Sequence, residues 1–395
     1  MSAIEFHPLT FVDERDGVVV GRPDTESYAV LPHDGAALLR RLAAGHPADE
    51  AAHWYLGEFG ESVDIGDFVS TLRELGFVRE GPQPTATPSR PGMLRLGAWT
   101  FSATAWIAYT ALVVTCAAMM ATHPRIRPHA DAVFFTPSLV AVQLVLAFAQ
   151  LPAVAWHESF HVLAGRRLGL PTRLSVSRRL FFVVVEAHLD GLYSVPRKKR
   201  YLPFLAGMLA DLLLFSGLTL VGAAGTGWAC RLALAVAYTV LLRLVWQFYV
   251  FLRTDLYYVF TTLLGCGDLH GATSDYLRRR ASRLPGLRRL TADAGGGSDA
   301  DAESAWSERD RRMAPWFALF TVAGVGFLLA TAVLALVPLL VGFATRLGPA
   351  LAHGTADGAR FWDSATSVGL FAAEFTLLIL VSRREASQSA GTDSR

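Results

Sequence analysis

MAPWFALFTVAGVGFLLATAVLALVPLLVGFAT, residues 313–345, runs for 33 residues without one Asp, Glu, Lys or Arg. About 20 apolar residues in a helix cross the roughly 30 Å hydrocarbon layer of a bilayer, so this stretch is a transmembrane helix by length and by lack of charge. Residues 132–156 are equally free of those four residue types. Reading outward, six segments reach or approach the required length: 97–121, 133–156, 202–224, 231–252, 315–342 and 364–382. Arg243 interrupts the fourth and Glu374 lies in the sixth. The whole chain agrees with this reading. Of its 395 residues 52% are hydrophobic and only 18% charged, with a mean hydropathy of +0.35. Soluble domains carry about a quarter charged residues. A disordered chain and an ordinary water-soluble enzyme are both excluded. Cys116, Cys230 and Cys266 are an odd count in apolar surroundings, which excludes a disulfide framework or a cysteine-rich zinc module.

The net charge of +2 conceals two unlike parts. Residues 1–80 hold 6 Lys+Arg against 15 Asp+Glu, a net −9, leaving +11 on the remainder. Basic residues crowd the loop 166–200 and the first half of the loop 265–314, and Arg383 and Arg384 follow the last segment. With six spans these regions share one side with both termini, and an excess of Lys and Arg marks the cytoplasmic side. The expected placement is a multi-pass protein of the bacterial cytoplasmic membrane with both termini in the cytoplasm. Met1–Pro32 carries scattered charge and no long apolar core, so no signal peptide is expected there.

Within the acidic head, 9–31 reads as short strands with turns at Asp16-Gly17 and Arg22-Pro23-Asp24. Helical patterns follow over 34–45, 48–58 and 65–75, the last with Ile65, Phe68, Val69, Leu72 and Leu75 on one face, and Phe77-Val78 reads as a closing strand. The expected fold class is thus a polytopic α-helical membrane protein with a small N-terminal α+β winged-helix-like domain. Its parts are the head at 1–80, a proline-rich spacer at 81–96, the membrane domain at 97–382 and a cytoplasmic tail at 383–395. Winged helices often bind DNA, but a net −9 repels a phosphate backbone, so no nucleic-acid partner is expected. The order of elements over residues 8–80 resembles the PqqD-like peptide-recognition domains of peptide-modifying enzymes. That resemblance implies a precursor peptide bound as an added strand on a sheet edge. The alternative is a regulatory or stabilising cap.

The second span runs into His157-Glu158-Ser159-Phe160-His161, an H-E-x-x-H sequence. Residues four apart share a helix face, so His157 and His161 can offer nitrogens to one Zn²⁺, with Glu158 beside it as the proton acceptor. If the helix continues to Arg166, the two histidines lie roughly 7 and 13 Å inside it at about 1.5 Å per residue. Ionisable groups at such depth are costly and usually functional. A catalytic zinc takes three protein ligands, and Asp190, Asp211 and Asp255 are the candidates for the third. His157–Gly169 resembles the H-E-x-x-H helix of the site-2-protease family of intramembrane zinc metalloproteases. Leu189-Asp190-Gly191 is similar to that family's Leu-Asp-Gly signature but precedes the helix that matches its Gly-Pro-x-x-Asn segment, here Gly207 to Asp211. Chain order under this resemblance favours Asp255 as the third ligand. Asp211 is left either to orient a histidine or the substrate carbonyl, or to make a packing contact.

Segment 174–189, with Leu180 to Val185 β-branched or aromatic, reads as strand, and the resembled family uses a hairpin there to hold extended substrate. Arg243 and Glu374 read as interhelical polar contacts, and Arg253 as a partner of Asp255 or a side chain reaching the interface. The resemblance implies a zinc-dependent metalloendopeptidase acting on a peptide or membrane-protein substrate at a lipid interface. Together with the PqqD-like head it implies maturation or leader removal of a ribosomally synthesised peptide, as in daptide-type pathways. Regulated cleavage of a membrane-tethered signalling protein and non-catalytic peptide binding are the alternatives.

Overall fold

The computed structural model describes residues 4–14, 17–25, 27–79, 91–179, 182–189, 191–282, 306–352 and 358–392. Asp190, Arg283, positions 81–90 and the acidic stretch up to 305 fall outside the described residues. The described chain forms two compact units: 1–102, 159–175 and 186–206 make the first, and 103–158, 176–185 and 207–395 the second.

The first unit is built on an antiparallel sheet of β1 (Thr10–Glu14), β2 (Gly17–Arg22) and β3 (Ser27–Leu31), in that order. Val12 faces Val19, and Val19 faces Val30, across the two ladders. Every residue of the central strand β2 is buried, which is why it reads Gly-Val-Val-Val rather than alternating. Three helices cover the sheet: α1 (His33–Ala43), α2 (Ala48–Phe59) and α3 (Ile65–Glu74). α1 buries Ala36, Leu38, Leu39 and Leu42, a stripe at helical spacing. α3 starts where the Asp64 carboxylate accepts from the Asp67 N–H at 3.1 Å, a cap worth about 1 kcal/mol. Phe77 fills the centre of this core at 0% exposure, and the following Val78 bridges back to Phe6. Strands and helices fall where the sequence pattern sets them.

In the same unit α4 (Pro91–Thr100) occupies the end of the expected spacer, so residues 91–96 are helical rather than a linker. Gly97 lets α4 approach the backbone around Leu163, for a Cβ at that position would stand 2.4 Å from the Leu163 carbonyl oxygen. The sheet also rests on the segment that follows residue 191. Thr10 Oγ1 donates to Ser194 Oγ at 2.9 Å, Tyr28 packs against Tyr193, and the buried Arg200 pairs with Glu14 at 2.8 Å.

In the second unit the chain resumes with α5 (Ala103–Thr122), so the expected first span is two helices broken at Phe101-Ser102. The long α6 (Leu139–Arg167), which belongs to this unit up to Glu158, starts where Asp363 accepts from the Ser138 hydroxyl and from the Leu139 N–H at 2.7 Å. The segment read as strand over 174–189 is two paired strands, β4 (Arg173–Arg179) and β5 (Phe182–His188). Then come α7 (Arg197–Ala223), α8 (Trp228–Trp246), α9 (Asp255–Leu264), α10 (Leu269–Ser282), α11 (Glu308–Ala352) and α12 (Gly358–Thr392). The last helix runs on to Thr392, so the expected tail at 383–395 begins as helix.

Among the described residues six helices are long and apolar enough to cross a membrane: α5, α6, α7, α8, α11 and α12, the last over Gly358–Arg383. α11 leaves Leu334 75% and Val322 65% exposed. An apolar surface of that extent aggregates in water and is the surface a bilayer requires, since lipid accepts only helices whose backbone bonds are internal. These helices make a membrane protein.

Candidate metal centre

His157 and His161 stand one turn apart on α6 and are 6% and 5% exposed. Each ring is held through Nδ1. His161 Nδ1 lies 2.7 Å from the Pro203 carbonyl oxygen on α7. A carbonyl can only accept, so Nδ1 carries a proton and Nε2 is the nitrogen left for a ligand. His157 Nδ1 lies 3.0 Å from Asp211 Oδ2, also on α7. Asp211 is wholly buried, and Arg243 of α8 grips it bidentately, Nε on Oδ2 at 2.9 Å and Nη2 on Oδ1. The guanidinium engages this carboxylate and keeps it accepting, so His157 Nδ1 donates and Nε2 is the nitrogen left for another partner. Arg243 further donates to the Ala153 carbonyl at 3.2 Å and to Gln150 Oε1 at 3.4 Å, and Gln150 donates to Thr239 at 2.9 Å. The expectation that Arg243 joins helices is met by these bonds.

Asp255 comes from the first turn of α9, where the helix dipole favours a carboxylate. A tight turn delivers it. Arg253 takes a left-handed conformation (φ 57°), unusual for a non-glycine residue. The Thr254 hydroxyl donates to the Gln247 carbonyl at 2.7 Å, and the Asp255 N–H donates to Gln247 Oε1 at 3.1 Å. Gln247 thus fixes both ends of the dipeptide. Arg253 itself pairs with Asp268 at 3.2 Å.

One ligand atom from each of His157, His161 and Asp255 lies within 4.8 Å of the other two. His157 Nε2 stands 3.2 Å from Asp255 Oδ2. With ligand bonds of about 2.0–2.1 Å, two corners of a tetrahedral zinc site are about 3.3 Å apart, so this edge fits. It is also chemically informative. A nitrogen lone pair and a carboxylate oxygen repel at that distance unless a proton or a cation lies between them. Two imidazoles and a carboxylate are a donor set that divalent zinc accepts.

Of the other sequence candidates, Asp211 sits on the Nδ1 side of His157, outside the group of three, and Asp190 lies outside the described residues. Glu158, the neighbour of His157, lines a cavity with Val154, Leu242 and Trp246. Glu374 is exposed on α12. Gln247 and Pro203 escaped the sequence reading. Gln247 left one signal, a lone amide directly after an apolar helix, whereas a carbonyl such as that of Pro203 leaves none. No family model matches the chain, and comparison with curated proteins and with solved structures found no match.

Proposed function

We propose that this chain is an intramembrane zinc metalloendopeptidase of the site-2-protease type. It would act from the cytoplasmic side of a bacterial membrane and mature a ribosomally synthesised peptide whose leader is recognised by the head. The observation that carries the reading is the meeting of His157, His161 and Asp255, with His157 Nε2 3.2 Å from Asp255 Oδ2 and both imidazole Nδ1 atoms already engaged. The H-E-x-x-H helix and its resemblance to that family support it. His157, His161 and Asp255 would hold the metal. A divalent zinc so held acts as a Lewis acid and brings water near neutral pKa.

The chain's own groups supply the rest. The Glu158 carboxylate accepts the proton of the attacking water and returns it to the leaving amine nitrogen. The Asp211–Arg243 pair keeps His157 in one tautomer. The two histidines are buried, so charge beside them acts more strongly than it would in solution. Substrate must be unwound at the scissile bond, because helical carbonyls are hydrogen-bonded. In the head, β3 has no strand on its outer side among the described residues, an edge that suits a peptide added as a fourth strand.

The test is metal content and cleavage measured together on the full-length protein in nanodiscs, with the peptide encoded beside its gene as substrate. Wild type should hold one zinc per chain and cleave. Glu158→Gln should hold zinc and not cleave, and His157→Ala, His161→Ala and Asp255→Ala should lose the metal. Folded wild-type protein without stoichiometric metal, or cleavage by Glu158→Gln, would refute the reading.

A further inference from the structure

Against Glu158 lies a cavity of about 500 Å³ between α6 and the end of α8. Val154, His157 and Glu158 form one wall, at the i, i+3, i+4 spacing of a single helix face, and Leu242 and Trp246, four apart on α8, form the other. The two remaining polar groups of its lining are already committed. Arg243 is turned onto Asp211, and the Gln247 amide oxygen holds the Asp255 N–H. What meets an occupant is therefore Val154, Leu242 and the half-exposed Trp246, an apolar and aromatic surface ending at the Glu158 carboxylate.

Resting on the protease reading above, we infer that this cavity is a side-chain subsite selecting a bulky apolar residue next to the scissile bond. Its volume lies within the range of small-molecule pockets and takes a Leu, Phe, Met or Trp side chain. Charged side chains are rejected for two reasons. An acid placed here faces the Glu158 carboxylate with like charge. A base pairs with Glu158 and removes the proton acceptor the reaction needs. A glycine or alanine leaves the cavity unfilled and forgoes the binding that orients the bond.

Two measurements on full-length protein in nanodiscs separate the subsite from the protease reading. The probes are apolar membrane-spanning peptides randomised over a central stretch, and the same host peptides carrying a photoreactive leucine analogue in that stretch. Wild type should cut next to Leu, Phe, Met or Trp at least ten-fold more often than next to Ala or Gly, within the discrimination apolar pockets give. Leu242→Trp, which fills the cavity, should reverse that preference, and Trp246→Ala, which enlarges it, should favour Trp over Leu. In Glu158→Gln protein the photoreactive leucine should label Val154, Leu242 and Trp246, and labelling should fall at least ten-fold when Leu242→Trp is added. Labelling without any cleavage by wild type would overturn the protease reading and keep the subsite. Cleavage whose flanking residues are unchanged in both cavity variants would overturn the subsite and keep the protease. Absence of both cleavage and labelling would overturn the subsite too. So would a photoreactive phospholipid acyl chain that labels the same residues undiminished by peptide, which would make the cavity a lipid groove.

Discussion

Asp211→Asn tests the centre at the point where packing and chemistry meet. The wild-type carboxylate is fully buried and accepts three hydrogen bonds, two from Arg243 and one from His157. The asparagine keeps the shape but loses the charge, and its NH₂ group points a donor at a donor. Removing one partner of a buried ion pair costs about 3–5 kcal/mol. The Arg243 side chain keeps 17% exposure and two further acceptors, so about 3 kcal/mol is expected. Loss of the acceptor behind a metal-bound histidine typically weakens metal binding 10–100-fold, or about 1.4–2.7 kcal/mol at 1.4 per decade. The double variant Asp211→Asn/Arg243→Met separates the two effects. Without a stranded charge it should recover stability to within about 1 kcal/mol of wild type, while zinc affinity stays low because His157 still lacks its carboxylate. Tryptophan fluorescence during thermal unfolding in detergent reads the first effect, and competition with a chromophoric chelator reads the second. Wild-type zinc affinity in Asp211→Asn would refute the role of Asp211 in holding His157. A double variant as unstable as the single one would refute the charge argument.

Gln247→Ala keeps the backbone carbonyl that holds Thr254 but releases the Asp255 N–H, and should lower zinc occupancy at limiting metal while thermal stability falls by about 1 kcal/mol. Wild-type occupancy would show that the turn holds without its clamp. Gly97→Ala places a methyl against a backbone oxygen at 2.4 Å, an overpacking expected to cost about 1–3 kcal/mol in unfolding measurements. Phe77→Ala should cost about 3–5 kcal/mol in the head core, seen as faster hydrogen exchange across β2 and α1. In the head, burial first and then the Arg22 guanidinium hold buried His7 below its ordinary pKa of 6.5. The unfolded chain therefore binds more protons below about pH 6.5, and head stability should fall as pH drops through that value toward the depressed one. Hydrogen exchange of the head amides in the full-length protein should show this dependence, and His7→Phe should remove it.

The parts of the fold that could be read in advance are those where periodicity alone decides. Three head helices follow from apolar stripes such as Ala36, Leu39 and Leu42, and six membrane helices follow from apolar length, despite Arg243 and Glu374. The break between α4 and α5 was not legible because composition stays apolar across it and no proline marks it. Tertiary packing sets it instead, with Phe101 buried edge-on against Phe160. The helix running on beyond Arg383 was missed for the opposite reason, since charge signals the end of a span but does not stop a helix. In the candidate centre, H-E-x-x-H fixes two groups by helical spacing. The placement of Asp255 depends on a turn clamped by Gln247, and the anchoring of His161 on the Pro203 carbonyl. No local pattern encodes either pairing, because each joins residues whose separation in sequence carries no period.

Charge balance relates these groups more tightly than any motif. Asp211 and Arg243 cancel each other, and both histidines spend Nδ1 on those neighbours, leaving Nε2 for a metal. Asp255 and Glu158 then leave two negative charges at the centre, in surroundings where isolated ionised groups cost several kcal/mol each. A divalent cation neutralises that sum with no proton needed on either carboxylate, whereas an apo centre must take up protons to reach the same balance. Metal binding at constant pH should therefore release protons. Calorimetric zinc titrations in buffers of different ionisation enthalpy measure that release directly. Zinc binding that releases no proton would mean that Asp255 and Glu158 do not share the charge of one bound dication.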